Sequence, residues 1–240
     1  MSAASLATNP PMAATKHNQS VPDPLAHFKA IPWCAALLTD KAILDTVVPD
    51  RRPLPSGESS FVRKTMNSAD TVRACVTFIR MVRPMRAKPS TNNNSKPGQG
   101  DKEKKALSGS EALLSGGGKE NGEDMRNPFL LFNALADLGT DLQSFVGTMH
   151  GGLFGVLMDE VMGTAANMQA ANGAYTVKFT TNFRRAVQTP QVVLIRGRVV
   201  RKDGRKLYVK GTIEDKDGNV MAEGDGLWLA MDRNVGRSKL

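Results

Sequence analysis

Cysteine is nearly absent from this chain: two residues in 240, Cys34 and Cys75. Two thiols cannot build a disulfide framework, and such sparing use points to a reducing compartment. Neither lies beside a histidine in a nucleophile motif, so both read as buried structural thiols. Histidine is as scarce, with three widely scattered residues, which argues against a metal centre. Aromatic residues make up only 5% of the chain. Nucleic-acid sites on sheets usually set bases against exposed aromatics, and Tyr208 is the sole candidate, so no nucleic-acid partner is expected. No apolar run approaches the roughly eighteen residues that a membrane span requires.

Acidic residues are also in deficit, leaving a net charge of +9. Between Tyr175 and Lys210 there are ten Lys or Arg and one acid, Asp203, so this stretch carries the whole excess. Lys178, Arg184, Lys206 and Lys210 fall on the polar side of the local alternation, with Arg196 and Arg198 beside apolar neighbours. Such a patch suits phosphate groups or an acidic partner; a solvated basic face is the plainer reading.

Composition divides the chain. Residues 1–24, rich in Ala, Pro, Ser and Asn, are expected to be disordered and are too poor in Arg for a clear mitochondrial transit peptide. Residues 25–85 form an N-terminal helical segment and the first part of the main domain. A short helix is expected over 26–39 with Trp33 as anchor, and another from Ser68 running into a strand over 76–81. Residues 86–127, with three consecutive asparagines, a charged run and three glycines after Ser115, cannot bury enough apolar surface to order themselves. They read as a disordered insertion between two strands, cheap to close because loop entropy grows logarithmically with length. The main domain covers 128–232, and 233–240 is a tail.

The centre of the chain is its most specific part. His150-Gly151-Gly152 opens an apolar helix that carries Asp159-Glu160 two turns in. At about 100° per residue, Phe154, Leu157, Met158, Val161, Met162 and Ala165 share one broad face. Asp159 points away from it, in line with Gly152, Gly155, Gly163 and Ala166. Helical glycine costs up to about 1 kcal/mol against alanine, so this stripe implies close approach by a ligand or a second backbone. Glu160, between Val156 and Thr164, is either functional or merely at the edge. Period-two runs follow over 174–187, 191–201, 206–214 and 220–231, separated by tight turns at Asp203-Gly204 and Asp217-Gly218. The expected fold class is α+β, a long antiparallel sheet curled around one central apolar helix.

The runs HGGLFGVLMDE and YTVKFTTNFRRA, then DGRK before a strand, resemble the hotdog-fold acyl-CoA thioesterase superfamily. The likeness is to the branch of the thioesterase superfamily member four type and its fungal relatives. It spans about residues 128–232, with weaker similarity from Ile31-Pro32-Trp33-Cys34 to Val82. The resemblance implies Asp159 as general base or nucleophile and the Gly151 N–H as holder of the thioester oxygen, with Gly152 close by. It implies that Thr176 positions the attacking water and that His150 orients the acyl carbonyl or the turn. Ala186 departs from the pattern, since relatives commonly carry proline there. Glu160 and Asn182 are further substrate-contact candidates, and Arg184, Arg185, Arg205 and Lys206 are candidates for the phosphates of coenzyme A. No cofactor is implied, coenzyme A entering only as part of the substrate.

The physics agrees with these roles: a helix N-terminus offers free N–H donors and a favourable dipole for a developing oxyanion. Nine helical residues span roughly 13 Å, so His150 and Asp159 of one helix cannot both touch one thioester carbonyl. Two helices set antiparallel about a twofold axis solve this, which predicts a homodimer or dimer of dimers with composite sites. The expected activity is acyl-CoA hydrolysis in fatty acid metabolism, cytoplasmic or mitochondrial. The alternatives are a carrier-protein thioesterase releasing polyketide or fatty chains in a fungal biosynthetic pathway, a hotdog hydratase or dehydratase, and a non-catalytic acyl-binding protein. A hydratase would need a His–acid pair within one site, whereas this helix has a single His at its mouth.

Overall fold

The computed structural model describes residues 16–81, 113, 122–124, 126 and 128–232. Seven strands form one antiparallel sheet: β1 (Ile43–Val47), β2 (Val72–Arg80), β3 (Leu131–Leu138), β6 (Ala174–Phe183), β7 (Gln191–Asp203), β8 (Lys206–Glu214) and β9 (Val220–Ala230). Their order is β1-β2-β3-β7-β8-β9-β6. A small hairpin, β4 (Gln143–Phe145) with β5 (Thr148–Met149), precedes the long helix α3 (Gly151–Asn167). This is the hotdog arrangement of a helix enfolded by an antiparallel sheet.

The sequence pattern explains the embrace. Along β7, β8 and β9 the residues Ile195, Val199, Leu207, Val209, Ile213, Ala222 and Trp228 alternate onto the face toward α3 and are buried with it. Glycine interrupts that face in a row, Gly197 registered with Gly211 and Gly211 with Gly224. Met162 lies over the row. A Cβ on Gly197 would stand 3.0 Å from the Met162 Cα, and one on Gly211 only 2.7 Å from its Sδ. The glycines thus make the trough in which the helix sits. From α3 itself Leu153, Phe154, Met158, Val161, Met162, Ala165 and Ala166 are buried, each large apolar side chain contributing about 1.5–3 kcal/mol.

The outer face of the sheet is covered by α1 (Pro24–Lys29) and α2 (Pro32–Leu38), which pack Phe28 and Cys34 against Ala74, Val76, Phe78, Leu135 and Leu194. Asp137 fixes this layer, accepting from Arg73 at 2.6 Å and lying 2.9 Å from the His27 ring nitrogen. The single helix expected over 26–39 is therefore two, because Pro32 starts a new helix after the extended Ile31. The helix expected from Ser68 does not form either. A single π turn over Phe61–Thr65 stands upstream, and β2 begins at Val72.

Most of 86–127 lies outside the described residues, as do 1–15 and 233–240. The described part of residues 86–127 includes a buried carboxylate. Glu123 accepts from Arg198 Nη2 at 2.8 Å and from the Phe129 N–H at 2.6 Å, and Leu113 is also buried. Arg198, beside apolar neighbours in the basic stretch, is an interior partner of Glu123, as Arg196 is of Glu214. Among the described residues, no helix is long and apolar enough to cross a membrane.

Candidate active site

Helix α3 begins with an open donor. His150 is its N-cap, and its Nδ1 accepts from the Gly152 N–H at 3.0 Å. That bond places the proton of a neutral ring on Nε2. The Leu153 N–H turns back to the His150 carbonyl at 3.0 Å. Gly151, exposed and first in the helix, has no acceptor for its N–H among the described residues. Gly152 therefore supplies room rather than a donor, whereas the Gly151 N–H remains available at the positive end of a seventeen-residue helix.

Two turns further on, Thr176 Oγ1 donates to Asp159 Oδ1 at 2.8 Å. The bond fixes one carboxylate oxygen and leaves the other for a water or substrate. Simple alternation had placed Thr176 on the polar side of its strand with Lys178 and Asn182. A register shift between Thr176 and Lys178 reverses this, so Thr176 faces α3 as Phe179 and Phe183 do. The same parity puts Asn182 opposite Glu223, away from the helix, and removes it from the site.

The small-residue stripe has an occupant within the chain. Phe183 stands 3.9 Å from a Cβ built on Gly151, Phe179 3.8 Å from one on Gly155, and Trp228 3.4 Å from one on Gly163. Aromatic rings of β6 and β9, rather than a ligand or another backbone, make the close approach.

The four phosphate candidates are not together. Arg184 and Arg185 follow β6 at the end near Gly151, where Arg184 is paired with Glu223 at 2.9 Å. Arg205 bonds Asp232 at 2.8 Å and the Ala230 carbonyl at the far end, and Lys206 lies opposite Leu229 there. A ten-residue strand separates the two pairs by roughly 30 Å.

A cavity of about 340 Å³ opens beside Asp159, on the neighbouring face of α3. Val156, Leu157 and Glu160 form its helical wall, and Cys75, Thr77 and Ala134 are among the sheet residues beneath. Its roof is the segment carrying Arg51, Val62 and Met66. Arg51 is 5% exposed and donates to the carbonyls of Val72, Val62 and Met66 at 3.1, 3.1 and 2.9 Å. Burial lowers its pKa, and the neighbouring Cys75 and Glu160 oppose this. Crowding around the Glu160 carboxyl pushes its pKa up, Asp159 adds to this, and Arg51 opposes it. Sequence reasoning missed Arg51. The available signal was local: Arg52 has Asp50 beside it, bonded at 2.6 Å, whereas Arg51 has no acid of its own. No cluster of three metal-ligating side chains occurs among the described residues.

An enfolded helix with a free N-terminal donor and a threonine-held aspartate on its flank makes up the hotdog domain and its candidate site. In comparison with known proteins, residues 146–222 match the family described as "Thioesterase superfamily" and are a domain of that superfamily. A "Putative esterase" of Sulfurisphaera tokodaii is 33% identical over 90 residues, 37% of this chain and 65% of that protein. "Acyl-coenzyme A thioesterase THEM4" of Bos taurus is 27% identical over 95 residues, 39% of this chain and 38% of that protein. The chain thus spans less than two thirds of the curated relatives it matches. A hypothetical thioesterase protein of Streptococcus pneumoniae, crystallised with coenzyme A, aligns at TM-score 0.41 and 15% identity over 44% of this chain and 81% of that one.

Proposed function

We propose that this protein hydrolyses acyl thioesters, with acyl-CoA as substrate, in sites shared between two copies of the chain. The observation that carries the reading is the separation of two half-sites on one helix: an unengaged Gly151 N–H at its start and the Thr176-bound Asp159 roughly 12 Å along it. Strand β6 ends the sheet and leaves Tyr175, Val177 and Phe183 49%, 53% and 60% exposed. Antiparallel pairing of two such edges would bring each Asp159 toward the Gly151 of the other copy.

In that site Asp159 takes a proton from water, and the oxygen adds to the thioester carbon. The resulting oxyanion accepts from the Gly151 N–H. Collapse breaks the C–S bond and releases the thiolate, which recovers the proton. Thr176 holds the carboxylate in line, the His150 Nε2–H stands beside the oxyanion donor, and no resident cofactor or metal takes part. Arg184 and Arg185 lie near enough to the helix start to meet phosphate; Arg205 and Lys206 of the same chain do not.

Complementation tests the shared site. Asp159→Asn removes the base, and Gly151→Pro removes the donor at a helix position that tolerates proline; His150, at φ −62° and ψ 133°, already has the conformation favoured before proline. Each variant alone should lose about 10²–10⁴-fold in kcat/KM on an acyl-CoA panel. Mixed and refolded together, they should regain activity, because a heterodimer has one site with both groups intact. Two inactive parents that stay inactive when mixed would refute sharing, and an active Asp159→Asn would remove the base.

A further inference from the structure

Four charged residues line the cavity on the face of α3 next to Asp159: Asp50, Arg51, Arg63 and Glu160. Asp50 is paired with Arg52, and Arg63 donates to the carbonyls of Asp50 and Arg52; Arg51 is the buried cation, and neither it nor Glu160 is in an ion pair among the described residues. Arg51 has five N–H donors; three go to the carbonyls of Val72, Val62 and Met66. The Nε–H and one Nη1–H meet no acceptor among the described residues, and no ion pair joins the guanidinium to an acid there. Glu160 forms part of the cavity wall, and its carboxylate receives no hydrogen bond from a described residue. Its backbone carbonyl alone is engaged, by Thr164 Oγ1 at 2.7 Å.

The rest of the lining selects for an acyl group. Val62, Met66, Phe132, Ala134 and Val156 provide apolar contact, and the small side chains of Ala134 and Ala136 leave room on the sheet side. The volume is at the lower end for ligand sites, which run about 300–1,000 Å³, and this limits the occupant to a short or medium chain. A hydroxyl on such a chain satisfies both walls at once: its oxygen accepts from Arg51, and its proton goes to Glu160. A carboxylate would satisfy Arg51 and oppose Glu160, and a plain alkyl chain would leave both groups unanswered.

We infer that this cavity receives the distal part of the acyl group and selects acyl thioesters whose chain carries a hydroxyl, with Arg51 and Glu160 as its two contacts. The inference rests on the thioesterase reading for the identity of the chain. It also gives the 49–66 segment, outside the family match at 146–222, the part of specificity element.

Affinity for uncleavable thioethers tests it separately from turnover. The full-length protein is titrated calorimetrically with S-hexyl-CoA, with S-hydroxyhexyl-CoA hydroxylated at the third, fifth or terminal carbon, and with S-carboxypentyl-CoA. At least one hydroxylated probe should bind about tenfold more tightly than S-hexyl-CoA. Glu160→Leu should reduce that ratio to about one. Arg51 also ties the roof together, so Glu160→Leu, which breaks no side-chain hydrogen bond, is the deciding variant. The inference is overturned if S-hexyl-CoA binds as well as every hydroxylated probe, if S-carboxypentyl-CoA binds best, if no probe binds, or if Glu160→Leu keeps the preference. A protein that binds with the expected preference yet cleaves no acyl-CoA would refute the hydrolase reading alone.

Discussion

Two adjacent carboxylates, Asp159 and Glu160, meet different surroundings. Asp159 is held by the Thr176 hydroxyl. Glu160 has no such donor, and its pKa rises through burial first and the charge of Asp159 second, against the pull of Arg51. A carboxyl whose folded pKa exceeds its unfolded value stabilises the fold fully below the unfolded value, about pH 4.3, and loses that contribution as pH climbs through the folded one. At neutral pH the charged Glu160 therefore opposes folding. Glu160→Gln should raise Tm at pH 7, and the advantage should vanish in melts below about pH 4. More than a third of Glu160 is open to solvent, and screening keeps the effect under about 1 kcal/mol. A variant less stable at every pH would show that the carboxylate makes a favourable contact instead.

At the scale of elements, α3 is located by what the sheet omits. Gly197, Gly211 and Gly224 stand in register under Met162. At Gly197 the obstructing atoms are helix backbone, the Met162 Cα at 3.0 Å and N at 3.1 Å, which no rotamer change can clear. Gly197→Ala should cost about 1–3 kcal/mol in urea unfolding, and an unchanged midpoint would mean that the helix is free to lift. This trough could be read only in part from sequence. The alternation of β7, β8 and β9 is a local period, so strands, hairpin turns and the central helix were legible, as were His150, Gly151 and Asp159 in one contiguous motif. Glycine within an alternating run looked like an ordinary inward position, because the register that aligns three of them comes from pairing across strands. Thr176 illustrates the opposite failure: a resemblance named it, while alternation assigned it to the wrong face because the irregularity before Lys178 is invisible in residue types. Strand β1 and the β4–β5 hairpin are too short to give a period. Arg51 lines the cavity only through the folded roof, so the one local signal, that Asp50 is taken by Arg52, marks Arg51 without announcing the cavity.

For the whole molecule, the decisive feature is an edge. Among the described residues, strand β6 has β9 on one side and no strand on the other, and Val177 projects from it 53% exposed. Natural sheets guard free edges with charge, proline or short length; β6 runs ten residues and contains no proline, and its single charge is Lys178. In the proposed dimer a second copy of the same strand would cover this edge by a closed twofold contact, which a heterologous partner would not provide. Val177→Lys places one ammonium group from each copy within that contact without touching the core of either chain. Sedimentation velocity should show a shift from dimer to monomer, while the thermal melt of the isolated chain remains cooperative. Acyl-CoA hydrolysis should fall with the dimer fraction, because a separated chain retains Asp159 but has no second Gly151 opposite it. Raising protein concentration should restore association and activity together. A monomer that turns over substrate at the undiluted rate would break the connection between the edge and the chemistry, and the oxyanion donor would have to be sought within one chain.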